Sequence, residues 1–178
     1  MYKILILIIL LVSGCASTMA TRSDMASGSH APESILFAIP KGWRVAHSSS
    51  TAAGDILELI ASNETLDNWT RMVTIQTFYR RYEPEPFILS MAEESEKRCD
   101  QTEVLDVINY VQNGHPFAQK IIVCTGIRGG TENETMNIKA IQGDEKFYVV
   151  QFSNNTPLSL QEGKYWSGYL RDVVVANY

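Results

Sequence analysis

The dipeptide Asn113-Gly114 constrains the fold of this chain more than any other feature. Both residue types tolerate the positive φ that a two-residue hairpin turn requires, and such a turn twists its flanks into an antiparallel pair. The flanks read as strands. One covers 102–111, through Val104-Leu105-Asp106-Val107-Ile108-Asn109-Tyr110-Val111, and the other covers 117–124, centred on Ile121-Ile122-Val123-Cys124. A second turn, Gln142-Gly143-Asp144-Glu145, separates strands expected over 134–141 and 146–152. The first of these alternates, with Met136, Ile138 and Ala140 on one face and Thr135, Asn137 and Lys139 on the other.

The N-terminal half repeats this logic. Short strands are expected over 34–39, 43–47 and 55–61, with Pro40-Lys41-Gly42 as a turn and 48–54 as a polar loop. A longer strand over 69–79 places Val73, Ile75, Thr77 and Tyr79 on one face and Met72, Thr74, Gln76 and Phe78 on the other. Apolar residues on both faces imply that both are covered. Two helices supply the cover. The first spans 86–98, where Phe87, Ile88, Met91, Ala92 and Ser95 form one stripe and Glu93, Glu94, Glu96 and Lys97 face solvent. The second spans 160–176: Ser159 and Glu162 have capping-box spacing, and Trp166, Leu170, Val173 and Val174 recur at helical spacing. Gly163 and Gly168 interrupt this helix, as small residues would where it lies close to a sheet. Strands, a helix, a hairpin-rich run of strands and a last helix make the chain α+β: an antiparallel β-sheet packed by two main helices.

Phe37-Ala38-Ile39-Pro40-Lys41-Gly42-Trp43, the strand order and the closing amphipathic helix resemble the PsbP/Mog1-like families. That resemblance implies an α/β/α sandwich and a binding or accessory role; it transfers no site residue. The leader carries a second resemblance. Lys3 precedes an aliphatic run from Ile4 to Val12, about nine residues long, against the roughly 20 that a membrane-spanning helix needs. Val12-Ser13-Gly14-Cys15 at its end resembles the bacterial lipobox: aliphatic, small, small, cysteine. It implies cleavage after Gly14, lipid on Cys15, and attachment to the membrane through that lipid; an ordinary secretory signal is the alternative. Residues 1–14 are then a signal peptide, 15–33 the lipidated cysteine and a Ser/Thr/Gly-rich flexible tether, and 34–178 a single domain. Ala16, where an aspartate tends to retain lipoproteins in the inner membrane, points to the outer membrane and the periplasm.

Lipid on Cys15 leaves Cys99 and Cys124, an even number in an oxidising compartment. A disulfide between them is expected; two separate buried thiols are the alternative. With net charge −5 and no basic cluster, the chain lacks the cationic surface that phosphate neutralisation demands, so no nucleic-acid partner is expected. Neither catalytic nor metal residues, nor a cofactor, are assigned. Ser48, Ser49 and Ser50 beside His47 form a loop without a Gly-x-Ser-x-Gly elbow. His30, His47 and His115 are far apart and outside any His-Glu-x-x-His pattern. Gly126-Ile127-Arg128-Gly129-Gly130 lacks the Lys-Ser/Thr of a phosphate loop and reads as a strand connection. Trp69, Arg80, Arg81 and Tyr82, with Tyr79, are the candidate partner-binding surface, because Trp, Tyr and Arg dominate binding hot spots. The expected function is a non-enzymatic, lipid-anchored envelope protein with an envelope protein as partner. Its rivals are an envelope hydrolase using His115 or a carboxylate, and a small-molecule carrier with an apolar cavity.

Overall fold

A computed structural model of the chain describes residues 32–105, 108–127 and 130–177. Cys15, the leader, His30, Asp106, Val107, Arg128 and Gly129 lie outside the described residues. The elements run β1 (Glu33–Leu36), β2 (Trp43–Thr51), β3 (Gly54–Ala61), β4 (Arg71–Phe78), α1 (Pro84–Glu96), β5 (Cys99–Val104), β6 (Ile108–Gln112), β7 (His115–Ile127), β8 (Asn133–Gln142), β9 (Phe147–Asn154), α2 (Leu160–Asp172) and β10 (Val174–Asn177). Every described strand pairing is antiparallel. The main sheet has the order β2-β3-β4-β9-β8-β7-β5, with β6 also on β7, and β1 and β10 form a separate two-stranded ribbon.

The hairpin signals hold. Asn113 and Gly114 both have positive φ, 54° and 84°, and Gln112 pairs with His115 across them, as a primed two-residue turn requires. The Gln142–Glu145 turn likewise joins β8 to β9, where Gln142 pairs with Phe147.

The sheet is covered on both sides, which makes an α/β/α sandwich. Under α1, Ile88 and Ala92 pack on Ala118, Ile122, Met136, Ile138, Ala140, Phe147 and Val149. Under α2, Trp166 and Leu170 pack on Leu59, Val73, Ile75, Val150 and Phe152. Trp166 stacks on Phe152 with centroids 4.0 Å apart, and Trp43 leans on it from β2 at 4.9 Å. Ser159 and Glu162 form the expected capping box. Glu162 also reaches Arg71 of β4 at 2.6 Å, which fixes the start of α2 to the sheet. Cys99 and Cys124 form a disulfide that ties the start of β5 to β7.

Four expectations are corrected. The last helix does not reach residue 176: it stops at Asp172, Val173 is extended at the cap, and Val174 belongs to β10. Val173-Val174-Val175 is a β-branched run with restricted χ1 in a helix, and β1 offers it a ladder instead. The hydroxyl-rich stretch after His47 is not a loop to Gly54; β2 continues to Thr51, paired residue for residue with β3. As an edge strand with exposed side chains it needs no apolar alternation. The first helix, expected over 86–98, spans Pro84–Glu96, and the chain is extended again from Cys99 in β5. The strand expected over 102–111 is divided: β5 ends at Val104, paired with Ile122, and β6 begins at Ile108, paired with Gln119.

Candidate functional site

Helix α2 covers β3, β4 and β9 but leaves a gap over part of the same face of β7 and β8, around Gln119, Ile121 and Asn137. The gap is a groove of about 910 Å³. Gln119, Ile121 and Asn137 form its floor, Leu105 and Ile108 one wall, and Leu160, Lys164 and Arg171 of α2 the other. Most of this lining is apolar. The polar floor groups satisfy each other, since Gln119 Nε2 donates to Asn137 Oδ1 at 3.0 Å. Lys164 makes no ion pair with any described residue and stands free at the rim.

Gly163 and Gly168 line the groove. They were expected to allow close packing on the sheet. Instead, a Cβ at Gly163 would meet nothing within 4 Å, and one at Gly168 only Arg171 Nη2 at 3.7 Å. The glycines cost helix stability, roughly 1 kcal/mol each, without gaining a close approach. They hold space open. A second groove of about 630 Å³ flanks the other side of α2, between Leu36-Phe37-Ala38 and Tyr165, and shares Lys164 and Gly168.

The position of α2 depends on a buried cation. Lys139 is fully buried on β8. Its Nζ donates to Gln112 Oε1 at 2.7 Å, Val173 O at 2.8 Å, Leu170 O at 3.1 Å and Arg171 O at 3.3 Å, and lies 4.6 Å over the Phe117 ring. Three of the acceptors, the Leu170, Arg171 and Val173 carbonyls, lie at the C-terminal end of α2, where a helix leaves carbonyls unpaired, and the charge sits at the negative end of the helix dipole. Burial still pushes the ammonium down to about 8, with Asp172 pulling the other way. Nothing in the period-2 pattern of β8 distinguished Lys139 from an exposed residue; only its partners do.

A second buried charge fastens the β1–β10 ribbon. Glu33 is 6% exposed. Its carboxylate accepts from the amides of Asp144, Glu145 and Lys146 in the β8–β9 turn, and from the Tyr148 hydroxyl at 3.1 Å. Burial first, and Glu33 second, raise the Tyr148 pKa. Ligand atoms of Glu33, His115 and Asp144 lie within 4.8 Å of one another. A carboxylate has about four lone-pair sites, and four donors occupy those of Glu33, so this cluster is a structural clasp with little to offer a cation. None of the three lines either groove.

The candidate binding residues from the sequence fall in two places. Trp69 precedes β4, where its carbonyl accepts from Asn155 Nδ2 at 2.7 Å. Arg80, Arg81 and Tyr82 follow β4, so the strand's length, roughly 25 Å, separates them from Trp69. Tyr82 is half-buried against Phe78, Phe87 and Phe147. Arg80 and Arg81 are exposed, and the Arg80 guanidinium lies 4.9 Å over the Tyr82 ring. Tyr79 is tied down by donating to Asp55 Oδ2 at 2.6 Å. No described helix is long and apolar enough to cross a membrane.

No protein-family model and no curated protein matches the chain. Solved structures do. The solution structure of cyanobacterial PsbP (CyanoP) from Synechocystis sp. PCC 6803 aligns over 88% of this chain and 98% of its own, with a TM-score of 0.51 at 8% identity. PA94 of Pseudomonas aeruginosa, a protein of unknown function, aligns over 72% of this chain and 95% of its own, with a TM-score of 0.47 at 12% identity. LpqN of Mycobacterium tuberculosis, involved in cell envelope biogenesis, aligns over 84% and 87%, with a TM-score of 0.45 at 11% identity. The CyanoP likeness confirms the PsbP-like α+β fold; at these identities fold is all it carries.

Proposed function

We propose that this chain is a lipid-anchored bacterial envelope protein whose domain binds an envelope protein without catalysing a reaction, and that the groove between α2 and β6–β8 receives the partner. The carrying observation is the pair of glycines in α2 that line the groove, Gly163 facing open space and Gly168 meeting only the end of the Arg171 side chain. A helix interior disfavours glycine, so two of them along one groove argue for a surface shaped by an occupant. The leader pattern ending in Cys15 supports the anchor, and the Cys99–Cys124 disulfide fits an oxidising compartment. Ala16 supports placement on the outer membrane, facing the periplasm. The second proposed contact is Arg80, Arg81 and Tyr82, with Trp69 at the far end of β4.

A photocrosslinking residue at Leu160, 78% exposed beside the groove, tests this reading in the protein's own envelope. It should give a discrete adduct that Gly163→Trp abolishes by filling the groove. A probe at Arg80 asks the same of the second contact. If the Leu160 adduct persists unchanged in Gly163→Trp, the groove is not the binding site.

A further inference from the structure

The sheet ends differently on its two sides. The β2 edge has a bulge between Val45 and His47 and carries Arg44. The β5 edge carries Asp100 and Glu103. Both are devices that keep an exposed strand from pairing with another chain. β6, Ile108-Asn109-Tyr110-Val111-Gln112, has none of them. It contains no charge, proline or internal bulge, it pairs only with β7 among the described strands, and Ile108, Tyr110 and Val111 are 48%, 67% and 67% exposed. The strand is also held in place. Asn109 Nδ2 donates to Glu85 Oε2 of α1 at 2.9 Å, Gln112 Nε2 to Arg171 O of α2 at 2.9 Å, and Tyr110 stacks over Phe117. A rigid edge loses little entropy when a strand adds to it.

We propose that β6 pairs with β6 of a second copy of this chain, antiparallel, to make one continuous sheet across a two-fold axis. Charge selects this occupant. A chain of net charge −5 repels its copy at most surfaces, whereas β6 brings a neutral strand against a neutral strand. Register follows from the pleat. Opposed residues must point to the same face, so a two-fold axis normal to the sheet passes through a residue pair. Centring on Tyr110 keeps all five residues paired; centring on Asn109 or Val111 keeps three. Tyr110 then opposes its own copy, Ile108 opposes Gln112, and Asn109 opposes Val111. Five residues a side bury less than the roughly 1,200 Å² of a stable soluble interface. Confinement to one membrane by the lipid raises the effective concentration, and to that extent the inference rests on the anchoring reading.

Cysteine crosslinking of the full chain in its own envelope tests the pairing. In the proposed register two Tyr110→Cys residues have Cα atoms about 5 Å apart, within disulfide reach. Two Ile108→Cys residues are separated by four positions, about 13 Å, and are out of reach. Mild oxidation should give several-fold more covalent dimer in Tyr110→Cys than in Ile108→Cys, and adding Val111→Lys should remove it. Both positions are exposed, and retention of the Cys99–Cys124 disulfide reports folding. A monomer in the membrane fraction overturns the pairing and leaves the anchor standing. A covalent dimer in the soluble fraction supports the pairing and overturns the anchor. Adducts of other masses without homodimer, or equal dimer at both positions, overturn it.

Discussion

Lys139 gives the fold a pH signature that can be worked out in advance. Its ammonium is fully buried, and burial lowers its pKa from 10.5 to about 8. Between those values the unfolded chain holds a proton that the native chain does not, so stability rises with pH. Below pH 8 both states are charged and the desolvation cost is fully present. Integrating the difference from pH 7 to pH 10 gives a gain on the order of 2–3 kcal/mol. Above pH 10 the sign reverses, because Tyr148 and Tyr169 have raised pKa values and the unfolded chain ionises first. The diagnostic window is therefore pH 8–10. Urea denaturation followed by tryptophan fluorescence should show the midpoint climbing across it in the wild type. Lys139→Met should flatten the climb. At pH 7 the same substitution leaves the Leu170 and Val173 carbonyls without the lysine donor, while Arg171 O keeps Gln112 Nε2, and should destabilise the domain by about 2–4 kcal/mol. Parallel pH profiles for the two proteins would refute this reasoning.

Three further outcomes follow from the same geometry. Glu58 is buried on β3 with Oε2 unpaired, and burial raises its pKa against a small opposing pull from His47. The native state keeps its proton longer than the unfolded chain, so stability falls as pH rises past the ordinary carboxylate value; Glu58→Gln should raise Tm at pH 7 and make no difference in acid. Reducing the Cys99–Cys124 bridge reopens a loop spanning 25 positions and should cost about 3 kcal/mol, read as a lower urea midpoint in dithiothreitol. Gly163→Ala should stabilise the domain by about 1 kcal/mol in thermal melts, because its Cβ enters empty space; a loss of stability would mean that the glycine is needed for close packing.

The elements legible in the sequence are those whose local chemistry agrees with their surroundings. Asn113-Gly114 specified its turn because few residue pairs accept two positive φ angles in succession. The α1 stripe and the two-faced pattern of β4 predicted a sheet covered on both sides. Val173 and Val174 misled because their spacing also fits a helix, and only β1, far away in sequence, decides for a strand. Ser48 to Thr51 looked like a loop because an exposed edge strand has no pattern to show. The features of the site were hardest to read. Glu33 stood at the end of an apparent tether, Lys139 on the polar side of an alternating strand, and Gly163 in a helix it weakens. Each acquires its role from partners brought close by folding: a hairpin turn, a helix C-terminus, an open sheet face. Trp69 and Arg80 are near in sequence, and the extended strand between them holds them apart.

The proposed function stands or falls on whether Cys15 fixes this PsbP-like domain to a bacterial membrane. Fractionation of the wild type and Cys15→Ala, with mass spectrometry of the peptide beginning at Cys15, tests it most directly. The expected result is a membrane-bound wild type carrying a lipid mass on Cys15, and a Cys15→Ala variant without lipid that leaves the membrane fraction. A Cys15→Ala variant that partitions into membranes as the wild type does, or a wild-type Cys15 free of lipid, would contradict it.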